Sequence, residues 1–330
     1  MKSKKSSSHA GGGIRTPVLP GLLVGLFMLG GVSAEETHAP MSPIVVKTQE
    51  SATLPQLMSK LGAARLLYVG ETHSAYADHL LQLEVLKGMA SNPDGLALGV
   101  EWFQARFQPV LDRYLAGEID EAEMLRQTEY YQRWRYDYRL YRPIIRYARE
   151  KGIPIIALNA SRELTGEIGR VGINGLPGVL RAELPDSYDV NDEDYEAKLR
   201  EMFQAHELKG RAADDKAFER FIEVQLTWDE TMAQHVAEYL NADPNRRVLV
   251  LAGKGHVAGR SGIPNRVTRR TGVRGETIAT FNSASRLFNT ADYLVLANDQ
   301  QLPPPGLMLS LIHISEPTRP MKESRFTSYA

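Results

Sequence analysis

Residues 65–73 read RLLYVGETH, and residues 247–256 read RVLVLAGKGH. Each stretch contains a short apolar run that ends in a glycine, and a histidine follows three residues after that glycine. Continuous apolar runs of this length, closed by a turn residue, are typical of parallel strands that are buried on both faces. The two turns, Gly70–His73 and Gly253–His256, therefore predict two histidines at the carboxyl ends of two strands of one sheet.

The rest of the chain alternates apolar runs with segments of helical periodicity. Four further runs have the composition of buried strands: Leu96–Glu101, Ile153–Leu158, Glu276–Phe281 and Tyr293–Ala297. Val190–Glu207 and Asp215–Leu240 predict long helices inserted between the third and the fourth strand along the chain. This alternation predicts an α/β fold, a mainly parallel sheet with helices on both faces and a helical insertion.

Residues 1–34 have the pattern of a secretory signal peptide. A basic start is followed by the apolar run Leu19–Val32, which closes on the small-x-small sequence Val32-Ser33-Ala34. About 14 apolar residues are too few to cross a bilayer comfortably, so cleavage is favoured, and a retained signal anchor is the alternative. Residues 35–48, rich in Pro and polar residues, predict a flexible leader.

At the other end, residues 309–319 read LSLIHISEPTR, which resembles the translation of a sequencing adapter. Residues 309–330 are therefore predicted to be a disordered assembly artefact, and an ordinary polar tail is the alternative. Residues 49–308 remain as one α/β domain, which is long enough to bury a full core.

Charge and cysteine content exclude several classes of protein. The chain carries 39 Lys and Arg against 40 Asp and Glu, and without both terminal segments the net charge becomes about −6. A mildly acidic body with no basic stripe argues against nucleic acid as a partner. The chain has no cysteine, which rules out disulfides, thiolate metal sites and a lipid-bearing cysteine. We therefore expect a periplasmic protein that is soluble after signal cleavage.

Polar side chains follow four of the predicted strands at the point where each strand ends. They are Glu71, His73, Glu101, Asn159 and His256. Since the carboxyl ends of parallel strands meet at one edge of a sheet, Glu71, His73, Glu101 and His256 are predicted to form a catalytic or binding cluster. This chemistry suits a divalent metal held by His73, His256 and Glu101, or acid–base catalysis without metal. Histidines that are only hydrogen-bonded structural residues are the alternative.

Several stretches of the chain, in the same order, resemble the ChaN-type haem-binding uptake proteins. They read YVGETHSAYADHLLQLEVL, GVEWFQARFQPVLDRYLAGEI, YRPIIRYAREKGIPIIALNA, QLTWDETMA and LAGKGHVAGRSGIPNRVTRR, and the likeness covers about residues 54–308. The wider superfamily is similar to the TIKI-type metalloproteases and the erythromycin esterases, which also use such paired turns. The resemblance implies an α/β sandwich, a role in bacterial haem or iron acquisition, and haem held at a dimer interface by a tyrosine of one chain and a histidine of the other. In one respect the chain departs from the family, whose members are often lipoproteins: it has no cysteine to acylate.

Residues 130–142 combine aromatic side chains with arginines, as a haem site requires. Haem needs an apolar slot, an axial ligand such as a tyrosine phenolate, and cations for its two propionates. Tyr138 and Tyr141 are the candidate ligands, Trp134 is a candidate wall, and Arg142 is a candidate propionate partner. Because Tyr130, Trp134, Tyr138 and Tyr141 recur at the spacing of one helix face, an ordinary core stripe is the alternative.

Two further residues are candidates on the predicted helices of the insertion. His206 is a candidate haem or dimer contact, and a solvent-facing histidine is the alternative. Asp229 is a candidate for a hydrogen bond that holds one tautomer of a site histidine, and an exposed helix carboxylate is the alternative. Asn159, at the end of the third predicted strand, is a candidate for supporting the cluster in a similar way.

The leading functional prediction is a periplasmic haem-binding protein, a haem-promoted homodimer that works with envelope haem-uptake components. The runner-up is a hydrolase of the peptidase or esterase kind, with or without a divalent metal, that uses Glu71, His73, Glu101 and His256. The strand-end cluster favours the runner-up, because haem transport has no evident need for it, whereas the resemblance favours the first prediction.

Overall fold

An eight-stranded sheet forms the centre of the fold. The computed structural model describes residues 44–47, 50–190, 192–207, 215–281 and 291–296. The strands are β1 (Ile44–Lys47), β2 (Glu50–Thr53), β3 (Leu66–Glu71), β4 (Leu96–Gln104), β5 (Ile155–Asn159), β6 (Arg247–Gly253), β7 (Glu276–Phe281) and β8 (Tyr293–Leu296). The helices are α1 (Leu54–Leu61), α2 (Tyr76–Met89), α3 (Gln108–Leu115), α4 (Glu121–Gln127), α5 (Tyr130–Arg133), α6 (Arg142–Glu150), α7 (Arg162–Val171), α8 (Gly178–Arg181), α9 (Glu193–Glu207), α10 (Asp215–Asn241), α11 (Lys254–Val257) and α12 (Ile263–Thr271).

The strand order is β2-β1-β8-β7-β3-β6-β4-β5, and the six strands from β8 to β5 run parallel to one another. Strand β6, which comes late in the chain, lies between β3 and β4, so that Glu71 pairs with Gly253 and Val100 pairs with Leu251. All six carboxyl ends therefore meet at one edge, and the turn after β6 lies directly beside the turn after β3.

Alternate residues of the parallel strands enter two separate apolar cores. Leu67 and Leu249 pack in the core that contains the apolar side chains of α1, α2, α3 and α6. Their neighbours Tyr68 and Val250 pack in the core that contains the side chains of α10 and α12. Side chains of successive residues point to opposite faces of a strand, so a sheet covered by helices on both faces needs apolar residues at every position. This is why the strands read as continuous apolar runs.

The helical insertion lies between β5 and β6. Helices α9 and α10 share an apolar cluster built from Tyr195, Leu199, Phe218 and Phe221. The buried positions of α10, such as Met232 and Leu240, continue into the core beneath the sheet. Helix α10 therefore connects the insertion to the sheet, because its side chains belong both to the cluster of the insertion and to the core against the sheet.

The predicted fold class is confirmed, because the structure has a mainly parallel sheet, helices on both faces and an inserted helical segment. All six predicted strands are present, with ends that differ by a few residues. Among the described residues, no helix has both the length and the apolar character needed to span a bilayer. The predicted signal peptide, 1–34, and the predicted artefact, 309–330, lie outside the described residues.

The predicted flexible leader, residues 35–48, needs a correction at its end. Residues 44–47, which read IVVK, form β1 and pair in antiparallel fashion with both β2 and β8. Three β-branched residues in a row favour an extended strand, and this preference outweighs the polar composition of the preceding residues.

The aromatic residues between positions 130 and 141 do not lie on one continuous helix, and Tyr130, Tyr138 and Tyr141 are buried, as the core alternative expects. Helix α5 ends at Arg133, and Arg135 has a φ of 71°, which no residue of a right-handed helix adopts. The chain then turns before α6 begins at Arg142. The rings nevertheless meet, with 5.2 Å between the ring centroids of Tyr130 and Tyr138.

Candidate functional site

A cavity of about 680 Å³ opens at the carboxyl edge of the parallel strands. The strand ends contribute His73, Glu101, Asn159 and His256, further polar side chains come from the segments after β4 and β5, and aromatic rings form much of the wall. The lining consists of His73, Glu101, Trp102, Phe103, Gln104, Phe107, Thr128, Tyr130, Arg133, Trp134, Arg135, Tyr136, Asn159, Ala160, Arg162, Thr165, Trp228 and His256. The volume is in the range of small-molecule sites, and a few polar groups among apolar walls are typical of such sites.

The histidine after β3 is held by the carboxylate that ends the strand. Nδ1 of His73 lies 2.6 Å from Oε1 of Glu71, and both side chains are buried. The other oxygen, Oε2 of Glu71, is buried and has no hydrogen-bond partner among the described residues. Since Glu71 engages Nδ1, the nitrogen of His73 that can contact a ligand is Nε2.

Gly253, at the end of β6, allows this histidine to lie against the strand. A Cβ at position 253 would come within 2.9 Å of Cε1 of His73, closer than real carbon contacts. The amide N–H of Gly253 donates to Oε2 of Glu101 at 2.6 Å. The glycine thus makes room for one site residue and orients another.

The histidine after β6 belongs to a chain of buried hydrogen bonds. Nδ1 of His256 lies 2.7 Å from Oδ1 of Asp229, and Tyr195 donates its hydroxyl to Oδ2 of the same carboxylate at 2.6 Å. Nε2 of His256 lies 3.6 Å from Oε1 of Glu101. Asp229 therefore fixes the ring orientation of His256, the supporting arrangement common behind functional imidazoles.

Both histidines are held toward their charged form. Burial lowers the pKa of His256, but the charges of Asp229 and Glu101 outweigh burial and raise that pKa to about 9. Burial likewise lowers the pKa of His73, but the hydrogen bond with Glu71 and the charge of Glu101 leave it above its ordinary value. Burial would raise the pKa of Asp229, yet the charge of His256 holds it below its usual range. The carboxylates that face the two imidazoles therefore favour the protonated form of each histidine.

One part of the cluster has the geometry of a metal site. Ligand atoms of Glu71, His73 and Glu101 all lie within 4.8 Å of one another, and all three residues are buried. The predicted set was His73, His256 and Glu101, of which His73 and Glu101 belong to this cluster. His256 lies beside the cluster, with its Nε2 3.6 Å from Oε1 of Glu101 and its Nδ1 engaged by Asp229. Two carboxylates and one imidazole suit a divalent cation and leave coordination positions open.

Several other predicted site residues are brought to the same cavity. Asn159, at the end of β5, lines it, and the buried Oδ1 of Asn159 has no hydrogen-bond partner among the described residues. Trp134 also lines the cavity, with 4.8 Å between its ring centroid and that of His73. The prediction that the residues at positions 73, 101 and 256 share one cavity agrees with the structure.

Tyr138 and Tyr141, the predicted haem ligands, lie in the apolar core. They are 1% and 0% exposed, and burial raises the pKa of both phenols. The hydroxyl of Tyr141 donates to the carbonyl oxygen of His73 at 3.2 Å, which fixes the turn after β3. In this conformation neither hydroxyl faces the cavity, so their role as ligands stays a prediction.

The remaining two candidates also lie away from the cavity or outside the described side chains. Arg142, the predicted propionate partner, pairs with Glu121 at 2.9 Å and lies over the ring of Tyr138. The same buried carboxylate also pairs with Arg146 at 2.8 Å, so that two arginines share Glu121. His206 belongs to α9, but its side chain lies outside the described residues.

The structure adds residues that sequence reasoning did not select. Tyr136 lines the cavity, with its ring 4.8 Å from that of His73. Lys198, on α9, donates to the carbonyl oxygens of Gly255 and Ala258 at 2.7 and 2.9 Å, and burial lowers its pKa. Tyr136 stands in the aromatic segment and was within reach of the sequence argument. Lys198 carried no signal, because only the docking of α9 brings it to the turn after β6.

Comparisons with known proteins agree with this architecture. The sequence profile of the family described as haem-binding uptake, Tiki superfamily, ChaN matches residues 57–267. Among solved structures, ChaN of Campylobacter jejuni, described with cofacial haem binding, is similar with a TM-score of 0.64 and 16% identity, over 78% of this chain and 97% of that chain. At that identity the likeness shows the fold alone. An erythromycin esterase variant in its open conformation is less similar, with a TM-score of 0.41 and 15% identity, over 74% of this chain and 78% of that chain.

A curated relative matches over a shorter stretch. Protein RETICULATA-RELATED 5, chloroplastic, of Arabidopsis thaliana is 26% identical over 129 residues, which are 37% of this chain and 17% of that protein. The chain therefore spans about a sixth of the length of that relative.

Proposed function

This chain belongs to the haem-binding uptake family of the Tiki superfamily, typified by ChaN, and from that membership we propose that it binds haem for bacterial haem or iron acquisition. The periplasm is the compartment we propose, on the basis of the signal-like residues 1–34 and a chain without cysteine. Its partners there are haem, a second copy of the chain and envelope components of a haem-uptake system.

The observation that carries the proposal is the cavity at the carboxyl edge of the sheet. Seven aromatic side chains line it, among them Trp134 and Trp228 on different elements. Flat apolar walls fit the face of a porphyrin, and an imidazole held through its Nδ1, as in His73, is a suitable axial ligand for iron. The residues present therefore fit the group, which supplies the iron chemistry when it is bound.

The proposal also includes haem held at a dimer interface, by a tyrosine of one copy and a histidine of the other. Within the aromatic segment, Tyr136 is half-buried at the cavity wall, whereas Tyr138 and Tyr141 are buried in the core. We therefore place Tyr136 first among the tyrosines that a bound haem contacts, and Tyr138 and Tyr141 act as ligands only if the segment rearranges. His206 remains the proposed histidine of the dimer contact.

Titration with haemin, followed by analytical ultracentrifugation, tests this function. We expect micromolar haemin to give a ligand-shifted Soret band and to convert monomer to dimer. His73→Ala should weaken or shift the band, because it removes the imidazole that faces the cavity. His235→Ala is the matched control, since that histidine is partly exposed on α10 and pairs with Glu238 away from the cavity lining. An unchanged haemin spectrum with the wild-type protein would contradict the proposal, and normal haem binding by Tyr136→Phe would remove that tyrosine from the ligand set.

A hydrolase is the second candidate function, and a specific observation favours it. The triad of Glu71, His73 and Glu101 has the spacing of a metal site, and the pair of Asp229 and His256 lies beside it. A divalent cation held there would polarise a substrate carbonyl or activate a water, while the buried imidazole of His256 could transfer a proton.

Metal analysis and a hydrolase screen decide on this second candidate. If it is correct, protein purified without chelator carries about one equivalent of a divalent metal and cleaves a peptide or ester substrate. Glu71→Gln should remove both the metal and the activity, whereas Glu84→Gln, an exposed carboxylate on α2, should change neither. Metal-free wild-type protein that hydrolyses no substrate would rule out the metal-dependent form.

A further inference from the structure

Three arginines lie at the wall of the cavity, and they differ in how their charges are balanced. Arg133 pairs with Glu129 at 2.7 Å and with Glu163 at 2.9 Å. Arg135 and Arg162 are exposed, and among the described residues neither forms an ion pair with a carboxylate. Two positive charges at the cavity wall therefore remain available for a ligand.

The two available guanidinium groups lie close to one another. Nε of Arg135 and Nη1 of Arg162 both donate to the carbonyl oxygen of Gln132, at 3.4 and 3.1 Å. Each guanidinium has five N–H donors, so most of them remain free after this contact. The shared carbonyl fixes the two side chains near one point of the wall, although like charges repel each other there.

The backbone of Arg135 has an energetically unfavourable conformation where the two guanidinium groups meet. Its φ of 71° lies in the left-handed region, which is unfavourable for a residue with a Cβ. Glycine or asparagine is the usual residue in that conformation. Unfavourable backbone conformations of this kind cluster at ligand sites, where the surrounding structure over-determines them. The conformation brings the Arg135 side chain back over Gln132 and to the cavity.

We propose that Arg135 and Arg162 form a carboxylate-binding rim that pairs with the propionates of a porphyrin lying between the aromatic walls. This inference rests on the proposed haem function and deepens it, because it assigns the ligand class that the rim selects: a flat apolar macrocycle with two carboxylates. Guanidinium groups bind carboxylates through paired, charge-assisted hydrogen bonds. The rim takes over the role that Arg142 was predicted to have, since Arg142 pairs with Glu121 and is not among the residues that line the cavity.

Titration with iron-free protoporphyrin IX, followed by fluorescence, tests the rim without involving an axial ligand. We expect Arg135→Gly and Arg162→Gln each to weaken binding roughly 10-fold, and the double variant roughly 100-fold. Glycine at position 135 keeps the positive φ without a Cβ clash, so the fold should be retained. Arg170→Gln is the matched control, because Arg170 is exposed on α7 and pairs with Glu167 away from the cavity lining.

The dimethyl ester of protoporphyrin IX isolates the carboxylate contribution. It should bind wild type and double variant with equal affinity, because it has no charge for the rim to pair with. The inference is overturned if wild-type protein does not bind protoporphyrin IX, or if the double variant binds it within twofold of wild type. It is also overturned if the loss of affinity from wild type to double variant is as large for the ester as for the diacid. Failure of haemin alone, with rim-dependent protoporphyrin binding intact, would instead count against the proposed haem function.

Discussion

Glu230→Ala is expected to lower the free energy of unfolding by about 3–5 kcal/mol, the cost of leaving a buried charge without its partner. The Glu230 side chain is fully buried and pairs with Arg266 at 3.3 Å, Arg269 at 2.7 Å and Arg270 at 2.8 Å. Arg266 is itself 1% exposed, so it cannot turn to water when the carboxylate is removed. Urea denaturation at pH 7 measures the loss, and the melting temperature should fall by roughly 10 °C.

Two comparison variants show whether the unpaired charge is the cause. Glu238→Ala, on the same helix, removes an exposed carboxylate and should change stability by less than about 0.5 kcal/mol. Replacing Glu230 together with its most buried partner, as in Glu230→Leu with Arg266→Met, should recover part of the loss, because apolar side chains of similar volume often substitute for a buried ion pair. Arg269 and Arg270 keep Asp189 and Asp186 as partners. A double variant as unstable as Glu230→Ala would show that the loss comes from packing instead.

This charge network also supports the functional site. The Arg266 guanidinium lies 4.2 Å over the ring centroid of Tyr195, whose hydroxyl donates to Asp229. Asp229 in turn holds His256 at the cavity. Removing Glu230 should therefore loosen the contact that orients His256, in addition to destabilising α10 against α12.

The strand ends show how far the sequence could predict the site. Apolar runs closed by glycine identified β3 and β6, and a buried parallel strand leaves little choice about where its turn residues point. The sequence could not reveal that β6 lies between β3 and β4, because strand order depends on long-range packing. That order is what places His73, Glu101 and His256 around one cavity.

The proposed haem-contact residues could not be predicted from periodicity, for a different reason. Helical spacing left a core stripe as the alternative for Tyr130 and Tyr141, both of which are buried, but it could not detect the left-handed backbone of Arg135 after the helix. Nor could it show that Glu121, which lies in a separate helix, pairs with both Arg142 and Arg146. Which arginine remains free for a ligand depends on where the carboxylates of other elements fall, and a local pattern contains no such information.

The stability of the protein should decline between pH 6.5 and about 9, and His256 should account for much of the decline. An imidazole has a pKa near 6.5 in the unfolded chain, whereas Asp229 and Glu101 raise the pKa of His256 to about 9 in the fold. In that range the folded state binds a proton that the unfolded state has released, so raising the pH favours unfolding. The contribution is fully present below pH 6.5, is lost as the pH passes 9, and amounts to about 3 kcal/mol.

Urea denaturation of wild type and His256→Gln across pH 6 to 9.5 measures this contribution as a difference in slope. His256→Gln should be less stable at every pH in the range, because Asp229 loses its charged partner, but its stability should fall less steeply. Since the pKa of His73 is also raised and its contribution declines in the same sense, some slope should remain in the variant. His235→Gln should follow the wild-type slope, because that imidazole is partly exposed and lies beside an exposed carboxylate, Glu238, on α10. Parallel curves for wild type and His256→Gln would mean that His256 is neutral in the folded protein, and the pairing of its charge with Asp229 would then have to be abandoned.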